Sequence, residues 1–136
     1  MDEDKKKELI EKALEARKMA YAPYSHFCVG AALLTGTGEV YQGGNIENAS
    51  YGATNCAERT AFFKAVSEGC REFTAIAVAG GREGREPEDY AYPCGICRQV
   101  MGEFCSPDFT VIVVKAPGEY REFALSELMP CGFDLQ

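Results

Sequence analysis

Two short stretches constrain this chain more than anything else in it: Cys56-Ala57-Glu58-Arg59 and Pro93-Cys94-Gly95-Ile96-Cys97-Arg98. The first sets a cysteine two residues ahead of a glutamate, and the second is a C-x-x-C pair with a proline in front. Three thiolates can hold a zinc ion while its fourth tetrahedral position stays open to water, the arrangement of a catalytic site rather than a closed structural one. A lone C-x-x-C also suits a redox pair. The upstream Cys-Ala-Glu and the preceding proline make the combination specific. No fourth protein ligand suggests itself. His26, the one histidine, lies far upstream beside a predicted strand, and Cys105 falls roughly 12 Å beyond Cys97 along the same predicted helix.

Both stretches open predicted helices. Asn55 suits the N-cap of a helix that starts near Cys56 and ends near Gly69. Ile96, Val100, Met101 and Phe104 then recur at helical spacing from Gly95 onward. Helix N-termini carry free N–H groups and partial positive charge, which favour thiolates. On the first of these helices Glu58 shares a face with Ala61, Phe62 and Ala65, and a carboxyl buried there is costly unless it is paired or functional. Lys64 and Glu68 are expected outside, as an i,i+4 pair. Three thiolates leave zinc with a net negative charge, which weakens its power to acidify water. Arg59, and Arg98 beside Cys97, are candidates to offset that charge through hydrogen bonds to sulfur.

The rest of the chain reads as a frame. Leu9, Ile10, Ala13, Leu14, Arg17, Ala20 and Tyr21 form one face of an amphipathic helix that Ala22-Pro23 should end. Phe27–Leu34 and Glu39–Gln42, joined by Gly36-Thr37-Gly38, predict a hairpin. Asn45 and Glu47 alternate with Ile46, so they point the same way if extended. Thr74–Ala79 and Phe109–Val114 are buried-strand candidates, Tyr120–Phe123 is a shorter edge strand, and Leu125–Met129 is a closing helix. The stretch 80–92, with charges of both signs, reads as a solvated connection without chemistry. The order α, β, β, α, β, α, β, β, α predicts an α/β fold with a mixed sheet and helices on its faces.

A length of 136 residues fits one domain over 1–136. The 46% hydrophobic and 26% charged residues are ordinary for a globular chain. A net charge of −7 argues against a nucleic-acid partner, which needs clustered Lys and Arg. Met1–Leu9 is charged, so no signal peptide is expected, and no apolar run approaches the roughly 18 residues of a membrane span. Cytoplasmic placement follows as the expectation. Seven cysteines cannot all pair. Cys28, Cys70, Cys105 and Cys131 are expected as free, partly buried thiols.

Beyond the metal motif, Tyr21-Ala-Pro-Tyr-Ser-His-Phe-Cys-Val-Gly-Ala-Ala32, Gly44-Asn-Ile-Glu-Asn-Ala-Ser-Tyr-Gly52, Asn55-Cys-Ala-Glu-Arg-Thr-Ala61 and Pro93-Cys-Gly-Ile-Cys-Arg-Gln99 resemble the small homotetrameric zinc-dependent cytidine deaminases. The motifs occur in that family's order over nearly the whole chain. The resemblance implies a three-layer α/β/α sandwich around a five-stranded mixed sheet. It implies one Zn2+ per subunit on Cys56, Cys94 and Cys97, with Glu58 as proton shuttle. The implied reaction is hydrolytic deamination of cytidine and 2′-deoxycytidine to uridine and 2′-deoxyuridine in pyrimidine salvage. Asn45 and Glu47 match residues that hydrogen-bond the ribose, Phe27 an aromatic against the base, and Ala57 a backbone beside the pyrimidine. Phe133 matches a C-terminal aromatic that reaches a neighbouring subunit's site. The rival readings are a deaminase of a cytosine-bearing antibiotic such as blasticidin S, and a non-catalytic zinc-binding interaction domain.

Overall fold

The alternation of buried residues along three successive strands decides how this chain is layered. In the computed structural model, which describes residues 1–135, the elements are α1 (Glu3–Ala16), β1 (Phe27–Thr35), β2 (Val40–Gly44), α2 (Ala57–Ser67), β3 (Phe73–Arg82), α3 (Gly95–Phe104), β4 (Thr110–Ala116), β5 (Glu119–Ala124) and α4 (Leu125–Leu128). The strands form one sheet in the order β2-β1-β3-β4-β5. Only β3 and β4 run parallel, so the sheet is mixed.

Successive residues of a strand face opposite sides. Ala31 and Leu33, Ile76 and Val78, and Val111 and Val113 meet Ala57, Ala61, Phe62, Ala65 and Met101 of α2 and α3 on one side. Ala32 and Leu34, Ala75, Ala77 and Ala79, and Ile112 and Val114 meet Leu9, Ile10 and Ala13 of α1 on the other. The α/β/α sandwich expected from the sequence is what forms.

Two departures have physical causes. The first helix stops at Ala16 and gives way to a 3₁₀ turn over Arg17–Met19 rather than running on to Pro23. Arg17 there donates to the carbonyls of Cys28, Arg82 and Arg85. Tyr21 is taken into an extended bridge, its N–H donating to Asn45 O at 2.8 Å while Glu47 N–H donates to Tyr21 O at 2.8 Å. The third strand runs through Arg82 rather than ending at Ala79, because Gly80, Gly81 and Arg82 stay paired with Val29, Cys28 and Phe27 of β1. The expected connection is therefore shorter by three residues.

Close approach of α2 to β2 positions the metal motif. A Cβ placed on Gly43 would lie 2.6 Å from both Ala57 O and Ala61 N, contacts with helix backbone that no rotamer change relieves. Gly43→Ala is expected to lower stability by about 1–3 kcal/mol, measured as a shift of the urea midpoint at unchanged slope. A variant as stable as the parent would show that α2 can slide without cost.

Candidate active site

The helices α2 and α3 bring their N-termini together. Cys56 is the N-cap of α2 and Cys94 the N-cap of α3, and neither end has a side-chain cap bond. Asn55 is not the cap expected from sequence. Its Nδ2 donates to Thr60 Oγ1 at 3.1 Å, so the cap position, and the helix dipole with it, falls to a thiol. Cys97 lies in the first turn of α3 and is buried.

The three Sγ atoms lie within 4.8 Å of one another, and Cys56 and Cys94 are 3.8 Å apart. Tetrahedral zinc with Zn–S bonds near 2.3 Å requires sulfurs roughly 3.8 Å apart. A hydrogen bond from Cys97, with others from Arg59 and Cys94, holds the Cys56 thiol down to about 5 against the effect of burial. Cys97, which gives that hydrogen bond, is pushed up. A cation bound among the three sulfurs would satisfy all of them at once. The donor set fits zinc, the spacing fits zinc, and three ligands leave one position open. No other group among the described residues gathers three such ligands: His26 pairs with Glu83 at 3.5 Å, and Cys105 ends α3 with its thiol pushed up to about 12 by burial.

Arg59 Nη2 donates to Cys56 Sγ at 3.3 Å, while its Nε is buried without a partner among the described residues. Arg98 does not touch sulfur. Its Nε donates to Pro93 O and its Nη1 to Leu128 O, each at 2.8 Å, so it ties the turn before Cys94 to the C-terminal segment. Of the two arginines expected to reach sulfur, only Arg59 donates a hydrogen bond to one. Arg59→Ala is expected to weaken zinc binding by about 10–100-fold, read by competition with a chromogenic chelator. Unchanged affinity would remove Arg59 from the metal's support.

Glu58 is 4% exposed, and burial pushes its carboxyl up to about 7. It opens into a cleft of about 350 Å³ lined also by Phe27, Val29, Asn45, Thr54, Asn55, Cys56, Ala57, Val78, Ala91, Tyr92 and Cys94, within the size range of small-molecule sites. Asn45 accepts from Val29 N–H at 2.8 Å and donates to Phe27 O at 2.9 Å. One amide N–H and one carbonyl lone pair remain for a ligand. Glu47 lines an adjoining hollow with Tyr24, Ser25, Asn48, Tyr51 and Thr54, and Thr54 belongs to both spaces. The Glu47 carboxylate accepts from the Ser25 hydroxyl at 2.5 Å and from the N–H groups of Tyr24 and Ser25. The Ser25 hydroxyl bond in particular holds its pKa below the usual carboxylate value.

Phe133 lies elsewhere. It is 71% exposed and borders a groove with Gly102, Cys105 and Met129, so within one chain it does not meet the cleft. The expected Lys64–Glu68 pair is absent. Lys64 donates to Gln42 O, and Glu68 accepts from the Tyr41 hydroxyl. All seven cysteines are free, with Cys131 exposed rather than partly buried. Sequence reasoning missed Thr54, Val29, Val78, Ala91 and Tyr92 as lining residues. An aromatic directly before Pro-Cys-x-x-Cys was the available signal for Tyr92.

Residues 3–114 match the sequence profile of the cytidine and deoxycytidylate deaminase zinc-binding region. A cytidine deaminase of Halalkalibacterium halodurans is 54% identical over 125 residues, covering 92% of this chain and 91% of that one. The crystal structure of a cytidine deaminase from Burkholderia pseudomallei superposes with a TM-score of 0.86 at 48% identity, over 98% of this chain and all of the other. A blasticidin-S deaminase of Bacillus cereus is more distant, 33% identical over 126 residues, 90% of this chain and 88% of that protein. With three convergent thiols, a buried carboxyl and these matches in agreement, this chain belongs to the cytidine and deoxycytidylate deaminase zinc-binding family.

Proposed function

We propose that this protein hydrolyses cytidine and 2′-deoxycytidine to uridine and 2′-deoxyuridine with release of ammonia. The observation that carries the reading is the buried Glu58 carboxyl, held near 7, in the same cleft as Cys56 and Cys94, whose sulfurs cluster with that of the buried Cys97. Zinc held by the three cysteines supplies a Lewis acid that lowers the pKa of water.

Everything else falls to side chains and backbone. Glu58 takes a proton from the attacking water as the C4–O bond forms and delivers it to ring N3. It then takes the remaining proton from the C4 hydroxyl and delivers it to the amino group, so that the C4=O bond forms as the C4–N bond breaks and ammonia leaves. A carboxyl near neutrality serves both directions of transfer, which one with an ordinary pKa does poorly. Phe27 and the Ala57 backbone bracket the base. Asn45 offers its free donor and acceptor to a ribose hydroxyl, and Glu47, fixed by Ser25 and Tyr24, accepts from one. Arg59 offsets thiolate charge. Phe133, outside its own cleft and exposed, completes the site of a neighbouring subunit in a homotetramer. Sedimentation should then give four times the 14.9 kDa chain mass.

No helix among the described residues is long and apolar enough to cross a membrane. Separately, the seven free thiols suit a reducing compartment and support a cytoplasmic location. The deciding measurement is loss of cytidine's near-ultraviolet absorbance on addition of zinc-loaded protein. A non-catalytic zinc domain would bind one zinc and leave the absorbance unchanged. Competition between cytidine and blasticidin S separates the nucleoside from the antibiotic reading; turnover of the antibiotic alone would reverse the assignment.

A further inference from the structure

The charged connection after β3 ends inside the cleft, where Ala91 and Tyr92 line the wall beside Phe27, Glu58 and Cys94. Tyr92 is held there from the far side. Its hydroxyl accepts a hydrogen bond from Arg121 Nη1 at 2.5 Å. Its ring packs edge-on against Phe123 with centroids 6.0 Å apart, and Tyr90 lies 6.5 Å away. The same Arg121 guanidinium sits 4.1 Å from the centroid of the Tyr90 ring, well inside cation–π range. Arg121 and Phe123 are two apart on β5, so they project to the same side of that strand. One wall of the cleft is thus braced from the edge of the sheet, not from either cysteine-bearing helix.

We propose that Tyr92 is a specificity-determining residue that limits bulk at the amino group and adjacent C5 of the pyrimidine, and that Arg121 is the positioning residue that keeps it in place. This rests on the nucleoside-deaminase reading. Tyr92 stands two residues before Cys94, so it borders the metal end of the cleft. If C4 is to meet Glu58 there, the exocyclic nitrogen and C5 must lie at the same end. The sugar then points toward Asn45 and Thr54. A tyrosine bonded at its hydroxyl and packed on its ring cannot swing aside to admit a methyl group. Without the Arg121 bond it can.

The test compares kcat/KM for cytidine, 5-methylcytidine and N4-methylcytidine in zinc-loaded wild type, Tyr92→Ala, Arg121→Met and Arg121→Lys. One methyl group against a fitted wall is worth about 10–200-fold in discrimination. Tyr92→Ala is therefore expected to raise the ratio of at least one methylated substrate to cytidine about tenfold or more. Arg121→Met should move the same ratio in the same direction, and Arg121→Lys, which keeps a donor for the tyrosine hydroxyl, should restore it. A merely structural role would lower all three substrates together and leave the ratios alone. Ratios within threefold of wild type in both Tyr92→Ala and Arg121→Met, with cytidine still turned over, overturn the proposal. If Tyr92→Ala does not fold, Tyr92→Leu takes its place beside Arg121→Met under the same criterion. Wild-type protein that fails on cytidine itself would instead count against the deaminase reading.

Discussion

Glu58→Gln is expected to cut kcat for cytidine by about 10⁴-fold, since an amide can neither take the proton from water nor return it to the ring. That is roughly 5 kcal/mol of transition-state stabilisation. The isosteric side chain keeps the shape of the cleft and removes no metal ligand, so zinc should stay at one per chain and nucleoside affinity should change little. Nor should the fold suffer. A carboxyl whose pKa is raised from 4.5 to about 7 costs the fold nothing below about pH 4.5 and progressively more as pH rises to about 7, where the loss is complete. In the metal-free protein at pH 8 the glutamine variant should therefore be at least as stable as the parent. Single-turnover kinetics and equilibrium binding of uridine separate these effects. A kcat within tenfold of wild type would refute the assignment of Glu58 as proton shuttle.

Loss of the metal is the second large effect. Cys97→Ala removes a sulfur that is 1% exposed and meets Cys56 and Cys94 at one point. Two remaining thiolates cannot define a tetrahedral site with a single open position. Turnover should fall below detection, and zinc content well below one per chain. Chelation of the wild-type protein should produce the same inactive state, reversed by one equivalent of zinc. Zinc present at a thousand times its Kd stabilises the folded state by about 4 kcal/mol, so chelation should lower Tm by ~10 °C. The Cys97→Ala protein should melt at one temperature with or without zinc. Because thiolates bind the metal and thiols do not, chelation should also become easier as pH falls. Full zinc occupancy in the Cys97→Ala protein would exclude this cluster as the metal site.

Legibility in the sequence followed the range of the interactions involved. The cysteines and Glu58 were readable because their relation is local: a thiol at the start of a helix, and a carboxyl two residues on, in step with Ala61, Phe62 and Ala65. The hairpin and a mixed sheet with helices on its faces were readable because periods of two and of three to four residues report which faces are buried, while the three-layer sandwich of five strands came from the family resemblance. Boundaries were less readable. Tyr21 left the helical pattern for a bridge to Ile46, and β3 continued past Ala79 because β1 offered it partners through Phe27. Both outcomes depend on a strand supplied by another part of the chain.

Roles that rest on distant partners could not be read from spacing at all. Arg59 and Arg98 each follow a cysteine motif, yet one donates to sulfur and the other to the carbonyls of Pro93 and Leu128. Tyr92 lay in a stretch that composition marks as solvated, and only β5 carries Arg121 to it.

The sequence alone determined the three-cysteine cluster, a mixed sheet with helices on its faces, and a carboxyl buried two residues from one of the cysteines. These depend on residue type and on spacings of a few positions, where chain connectivity leaves little freedom. Only the tertiary structure decided which arginine serves the thiolates, that Asn45 and Glu47 line adjoining spaces, and what walls the cleft. Those outcomes are set by the register of strands far apart in the chain, and spacing along the sequence carries no record of it.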